Sequence, residues 1–117
     1  MAMLDNPRMQ TSTSGGVVVV VLRTPKITDF EVPAIKSDLA ELMKEHGGRL
    51  LLDLSNVLLI GSSGLGLLIT LKRDAEAAGG KLVICNVSEE IMGMIKITHL
   101  QKVLTFAADA KAGLKAF

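Results

Sequence analysis

A chain of 117 residues with 13 Lys and Arg against 12 Asp and Glu carries a formal net charge of +1, too small a field to draw it to nucleic acid or an anionic membrane. Its residues are 49% hydrophobic but only 3% aromatic, so the core is aliphatic and the stacking platforms of single-stranded nucleic-acid binders are missing. The length suits one domain, residues 1–117, and the longest apolar runs are strand-sized rather than membrane-sized.

Residues up to about 7 read as a flexible leader without the charged and apolar segments of a signal peptide, so the expected location is cytoplasmic, with no membrane insertion. Residues 8–13 are a candidate edge strand, and Ser14-Gly15-Gly16 is a turn signal. Val17–Leu22 is a continuous β-branched run, too apolar for a solvated face, and predicts a central strand. Thr24-Pro25-Lys26 breaks the pattern. Thr28 or Asp29 then caps a helix whose apolar positions Val32, Ile35, Leu39 and Leu42 recur every three or four residues, with Pro33 tolerated in the first turn.

His46-Gly47-Gly48 ends that helix, and residues 49–54 form the next strand. A buried strand then leads into Gly61-Ser62-Ser63-Gly64, which opens a second helix with Leu65, Leu68, Leu71, Ala75 and Ala78 as its apolar stripe, ended by Gly79-Gly80. Residues 81–86 make another buried strand, in which Cys85, the single cysteine, reads as a small core residue. Ser88 caps a third helix with Glu89 and Glu90 in its first turn and Ile91, Ile95 and Thr98 or His99 along one side. Met92 and Met94 suit either core or contact surface. Residues 103–106 form a last strand, followed by a small helix from about 108. Alternating strands and helices predict an α/β fold with a largely parallel sheet, and the serine loop falls at the carboxyl end of its strand, where such sheets carry their sites.

Each catalytic motif that the loop superficially matches lacks a required residue. A P-loop needs Lys where Leu67 stands, a nucleophile elbow centred on Ser63 needs Gly where Leu65 stands, and a dinucleotide fingerprint from Gly64 needs Gly where Ile69 stands. His46 and His99 have no spacing that pairs them with a serine, and one Cys with two separated His gives no metal site. The chain therefore has no expected catalytic residue, cofactor or metal. Two serines at a helix N-terminus suit an anion, because free N–H groups and the positive end of the helix dipole meet there. One serine is explained by capping alone, and Asp53 is explained as the cap of the Ser55-Asn56 turn.

The chain resembles the STAS domain family, the bacterial anti-sigma factor antagonists and related domains of sulfate transporters. The resemblance spans about residues 17–106 and rests on Leu51-Leu52-Asp53-Leu54-Ser55, Ser62-Ser63-Gly64-Leu65-Gly66, Ala78-Gly79-Gly80-Lys81-Leu82 and Ile97-Thr98-His99-Leu100. It implies a four- or five-stranded mixed, mostly parallel sheet with helices mainly on one side, and a non-enzymatic switch. The implied partners are a serine-kinase anti-sigma factor, which phosphorylates the second serine of the loop, by position Ser63, and a PP2C-type phosphatase that resets it. By the same resemblance Gly61, Ser62, Gly64, Leu65 and Asp53 shape the loop or meet the partner, and Asp29 matches an aspartate before the first helix. Gly61 stands where the family has aspartate, and residues 24–29 replace a glycine-containing turn. The second reading is a STAS subunit of a lipid ABC-type transporter, contacting its ATPase. A third is a small-ligand or nucleotide binder that uses the loop as an anion nest.

Overall fold

The β-branched run is a strand, β2 (Val17–Leu22), in the computed structural model, which describes residues 6–117. Gly15 and Gly16, with φ of +57° and +82°, turn the chain so that β1 (Met9–Ser14) pairs antiparallel with it, Ser14 opposite Val17. Positive φ at both central positions is the type I′ pattern of a two-residue hairpin, which glycine adopts without steric penalty. On the other side of β2 follow β4 (Arg49–Asp53), β6 (Lys81–Cys85) and β7 (Thr105–Ala107), all parallel, giving the order β1-β2-β4-β6-β7. The α/β fold and the five-stranded, mostly parallel mixed sheet agree with expectation.

Two short strands, β3 (Lys26–Ile27) and β5 (Leu59–Ile60), pair parallel in a separate small sheet that the sequence pattern did not reveal. Helices α1 (Val32–Glu45), α2 (Ser62–Ala77) and α3 (Glu89–Ile97) cover one face of the main sheet. Their buried Ile35, Leu39, Leu68, Leu71, Ile91 and Ile95 join Val18, Val20, Leu50, Leu52, Leu82 and Ile84 in one core. Each fully buried Leu or Ile contributes on the order of 2 kcal/mol by leaving water. Val17, Leu51, Val83 and Cys85 point to the opposite face, where α4 (Ala110–Leu114) and residues 116–117 cover them. Burial pushes the Cys85 thiol up to about 11, with the charges of Asp53 and Asp109 adding to it, in keeping with a core role.

Several boundaries differ from expectation for local reasons. The stripe of α2 includes buried Leu67, while Ala78, the residue after the last turn, is exposed. Helix α1 has Glu31 at its cap position; Thr28 acts one turn earlier, and no capping bond involves Asp29. Ser88 caps α3 as expected, its Oγ accepting from the Ile91 N–H at 3.2 Å. Beyond α3, His99 adopts φ of +61° and starts a 3₁₀ turn over Leu100–Lys102, which delays β7 by two residues. Thr98 and His99 are exposed, whereas Met92 and Met94 pack partly buried against the core.

Of the expected leader, residues 1–5 lie outside the described residues. Asn6 is held: its Nδ2 donates to Asp38 at 2.9 Å, and Arg8 pairs with the same carboxylate at 2.7 Å. Burial pushes the Asp38 carboxyl up, but hydrogen bonds from Asn6 and Arg8 and the Arg8 charge outweigh it and hold the group below its ordinary value.

Candidate functional site: the serine loop at the start of α2

The serine loop hangs from β5, not directly from β4 as the sequence suggested, and β5 is fixed by its pairing with β3. The Gly61 N–H donates to the Ile27 carbonyl at 2.9 Å, and the Leu65 N–H closes the first turn onto the Gly61 carbonyl at 3.0 Å. Gly61 is the extended N-cap residue, so Ser62 and Ser63 are the first two helical residues. The N–H groups of Ser62, Ser63 and Gly64 have no partner within the helix by position, and no acidic side chain stands in the first turn. The result is a neutral surface at the positive end of a 16-residue helix.

The glycines of this loop have different reasons. A Cβ on Gly64 would lie 2.6 Å from the Ile27 carbonyl oxygen and from Ile60 Cγ1, so only glycine lets α2 press on β3 and β5. A Cβ on Gly61 would meet nothing closer than 3.8 Å, so the missing aspartate side chain is not a demand of space. Leu65 is 7% exposed and anchors the loop in the core rather than facing outward.

The two hydroxyls also differ. Ser62 is exposed. Ser63 is only half-buried as a residue, yet its Oγ is covered and has no hydrogen-bond partner. Of the two hydroxyls expected to lie open, the structure leaves Ser62 exposed to solvent and corrects the expectation for Ser63 in this rotamer. Leaving a covered hydroxyl unpaired costs about 1–3 kcal/mol, so nothing in its bonding holds Ser63 Oγ where it is.

Asp53 acts one step back from the loop. It is 7% exposed at the end of β4, its Oδ1 accepting from the Ser55 N–H at 2.8 Å and its Oδ2 from Asn86 Nδ2 at 2.9 Å. It thus caps the Ser55-Asn56 turn as expected and ties it to the end of β6. Asp29 is exposed and none of the described hydrogen bonds connects it to the serines; its neighbour Thr28 is the residue beside Gly61. The Thr28 Oγ–H and N–H donate to Glu31 Oε1 at 2.6 and 2.9 Å, and these bonds hold the Glu31 carboxyl below its ordinary value. His46 Nδ1 lies 2.8 Å from the Leu42 carbonyl oxygen, and His99 is exposed.

Sequence reasoning missed the apolar rim of this edge. Phe30, Leu58 and Leu59 are 90%, 74% and 53% exposed on the segments that β3 and β5 join. The backbone of Leu58 and Leu59 is nonetheless held, their N–H groups donating to the Pro25 carbonyl at 2.7 and 3.2 Å. Clustered exposed apolar side chains are the kind of surface that contacts a partner. The sequence shows only a four-residue apolar run, 57–60, in which nothing distinguishes the buried Val57 and Ile60 from the exposed Leu58 and Leu59. Among the described residues no three His, Cys, Asp or Glu side chains converge as metal ligands, and no helix is long and apolar enough to cross a membrane.

Comparison with known proteins matches the STAS domain to residues 8–112. The anti-sigma-B factor antagonist of Bacillus subtilis is 27% identical over 90 residues, covering 77% of this chain and 82% of that protein. An anti-sigma factor antagonist from Mycobacterium paratuberculosis superposes with a TM-score of 0.81 at 22% identity, over 97% of both chains. The Bacillus cell fate determinant SpoIIAA in its phosphorylated form superposes with a TM-score of 0.66 at 18% identity, over 93% of this chain and 99% of that one.

Proposed function

The chain belongs to the STAS domain family, and on that premise we propose that it is an anti-sigma factor antagonist that docks a serine-kinase anti-sigma factor on the serine loop and is switched there by phosphorylation of Ser63. The observation that carries this reading is the neutral, acid-free first turn of α2 bordered by the exposed Phe30, Leu58 and Leu59. The likeness to the anti-sigma-B factor antagonist supports the partner class. The neighbour in its phosphorylated form supports a fold that accommodates the modification.

The electrostatics follow from the first turn. A phosphate on Ser63 adds about −1.5 to −2 charges, which the unpaired N–H groups and the helix dipole accept within this protein. A partner that covers the same turn with apolar or acidic groups must strip water from that charge, at a cost of several kcal/mol. The complex separates without a change of fold, and a PP2C-type phosphatase restores docking. For transfer to occur, Ser63 Oγ leaves its covered rotamer; the residue is half-exposed and its hydroxyl gains a hydrogen bond on turning outward, a ps–ns motion.

The test is incubation with ATP and candidate serine kinases encoded beside the gene, followed by mass spectrometry and by co-purification of the kinase with the Ser63→Asp variant. The reading expects a phosphate on Ser63, none in Ser63→Ala, and binding weakened at least about tenfold by Ser63→Asp, equivalent to about 1.4 kcal/mol. A phosphate confined to Ser62, or unaltered binding of Ser63→Asp, removes Ser63 as the switch. Co-purification with an ATPase and no modification would favour the transporter subunit.

A further inference from the structure

The opposite edge of the sheet carries a feature that the switch does not use. Arg49 and Lys81 are the first residues of β4 and β6 and stand directly in register in adjacent parallel strands. Strand alternation puts Arg49 on the face of Leu51 and Lys81 on the face of Val83, the face covered by α4. Two cations therefore sit side by side on strands about 4.8 Å apart, an arrangement that destabilises a sheet unless something offsets the repulsion. Among the described residues the ion pairs are Arg8 with Asp38 and Lys72 with Glu76, so no described carboxylate lies within 4.0 Å of Arg49 or Lys81.

A cavity of about 290 Å³ opens at this pair, lined by Arg49, Gly79, Gly80, Lys81, Ala116 and Phe117. Arg49 and Lys81 are both exposed, and the Arg49 guanidinium lies near the hairpin turn, where a Cβ on Gly16 would be 2.8 Å from its Nη1. Lys81 Nζ donates one hydrogen bond, to the Ala116 carbonyl at 2.9 Å, leaving two of its three protons for a ligand. The Gly79 and Gly80 N–H groups are already bonded to the Glu76 and Ala75 carbonyls, so the donors of the cavity are the two side chains. The Arg49 and Lys81 side chains line the same cavity, and a guanidinium and an ammonium at one rim suit an oxyanion with several acceptor oxygens and two charges, with Phe117 lining the same space.

We infer that Arg49 and Lys81 form an anion site for the phosphate group of a small phosphomonoester, at the sheet edge away from the serine loop and independent of its phosphorylation. The test is titration of the 117-residue protein with phenyl phosphate, followed by amide chemical shifts, with inorganic phosphate, sulfate and benzoate as comparison probes. The expected result is saturable shifts at Gly16, Arg49, residues 79–81 and 116–117, with a Kd of about 1 mM or tighter, which Arg49→Gln or Lys81→Gln weakens at least about tenfold. Phenyl phosphate binding more tightly than inorganic phosphate, and benzoate not saturating, identify an ester rather than free phosphate or a carboxylate. The inference is overturned by an absence of shifts at this edge, by shifts confined to residues 61–65, or by equal, non-saturating responses to all four probes. Because the wild-type map decides between these outcomes, poor folding of either variant leaves the test intact.

Discussion

At the amino edge of the sheet, glycines let two turns approach until backbone meets backbone: a Cβ on Gly80 would lie 2.2 Å from the Gly48 carbonyl carbon. At the carboxyl edge, Gly64 does the same for α2 against β3 and β5, but the side chains left around the contact are hydroxyl and apolar rather than cationic. One edge thus combines tight turns with an uncompensated pair of positive charges, and the other combines a tight helix start with a first turn that carries no acidic side chain. The difference teaches that close approach at a sheet edge supplies rigidity, while the charges left at its rim decide what can bind there.

The contrast is broken most strongly at Gly80. Its clash is with the backbone of Gly48, which cannot move without displacing the Lys81 N–H that donates to the Gly48 carbonyl at 3.0 Å. Gly80→Ala is expected to cost about 3 kcal/mol, measured as a lower urea midpoint. On the other edge, Gly64→Ala meets a carbonyl oxygen and the Ile60 side chain, part of which can shift, and is expected to cost about 2 kcal/mol. Gly66→Ala is the internal control: nothing lies within 4 Å, and in a helix the change should stabilise by about 0.5–1 kcal/mol. Opposite signs for two glycines two residues apart would separate a packing demand from simple helix propensity.

Much of this architecture is legible in the sequence where a local pattern carries it. The β-branched run gave β2, the paired glycines gave the ends of α1 and α2, and Ser88 with Glu89 and Glu90 gave the start of α3. Two-residue strands such as β3 and β5 have no period to read, so the support beneath the serine loop was hidden, and with it the exposure of Leu58 and Leu59 within an apolar run. The covered Ser63 Oγ depends on a rotamer choice, which residue order does not encode. The Arg49 and Lys81 pair is separated by 32 positions and becomes visible only through strand register.

A smaller change sharpens the question of charge at the carboxyl edge. Gly61→Asp restores the acidic side chain that the family resemblance expects, in a position with room for it and with N–H groups of the first turn to satisfy. As an N-cap, Asp exceeds Gly by a few tenths of a kcal/mol, about 0.3 kcal/mol, which thermal unfolding can resolve. If the variant is instead less stable, the loop does not have the open N-cap geometry described above.

The smallest expected effect is a pH dependence beside the same loop. Glu31 accepts two hydrogen bonds from Thr28, whose Cα lies 3.9 Å from the position a Gly61 Cβ would take. Its carboxyl is held below the ordinary value by those bonds, so the folded state keeps it ionised at pH values where the unfolded chain has begun to take up a proton. The contribution is therefore fully present above the ordinary glutamate value and fades as pH falls through the lower folded one. An NMR titration of the Thr28 amide should show a transition displaced below that of an unstructured glutamate, and Glu31→Gln should abolish it. A transition at the ordinary value would mean that the Thr28 bonds do not persist in solution, and the frame that holds the serine loop against β3 would then be looser than the Gly64 contact alone implies.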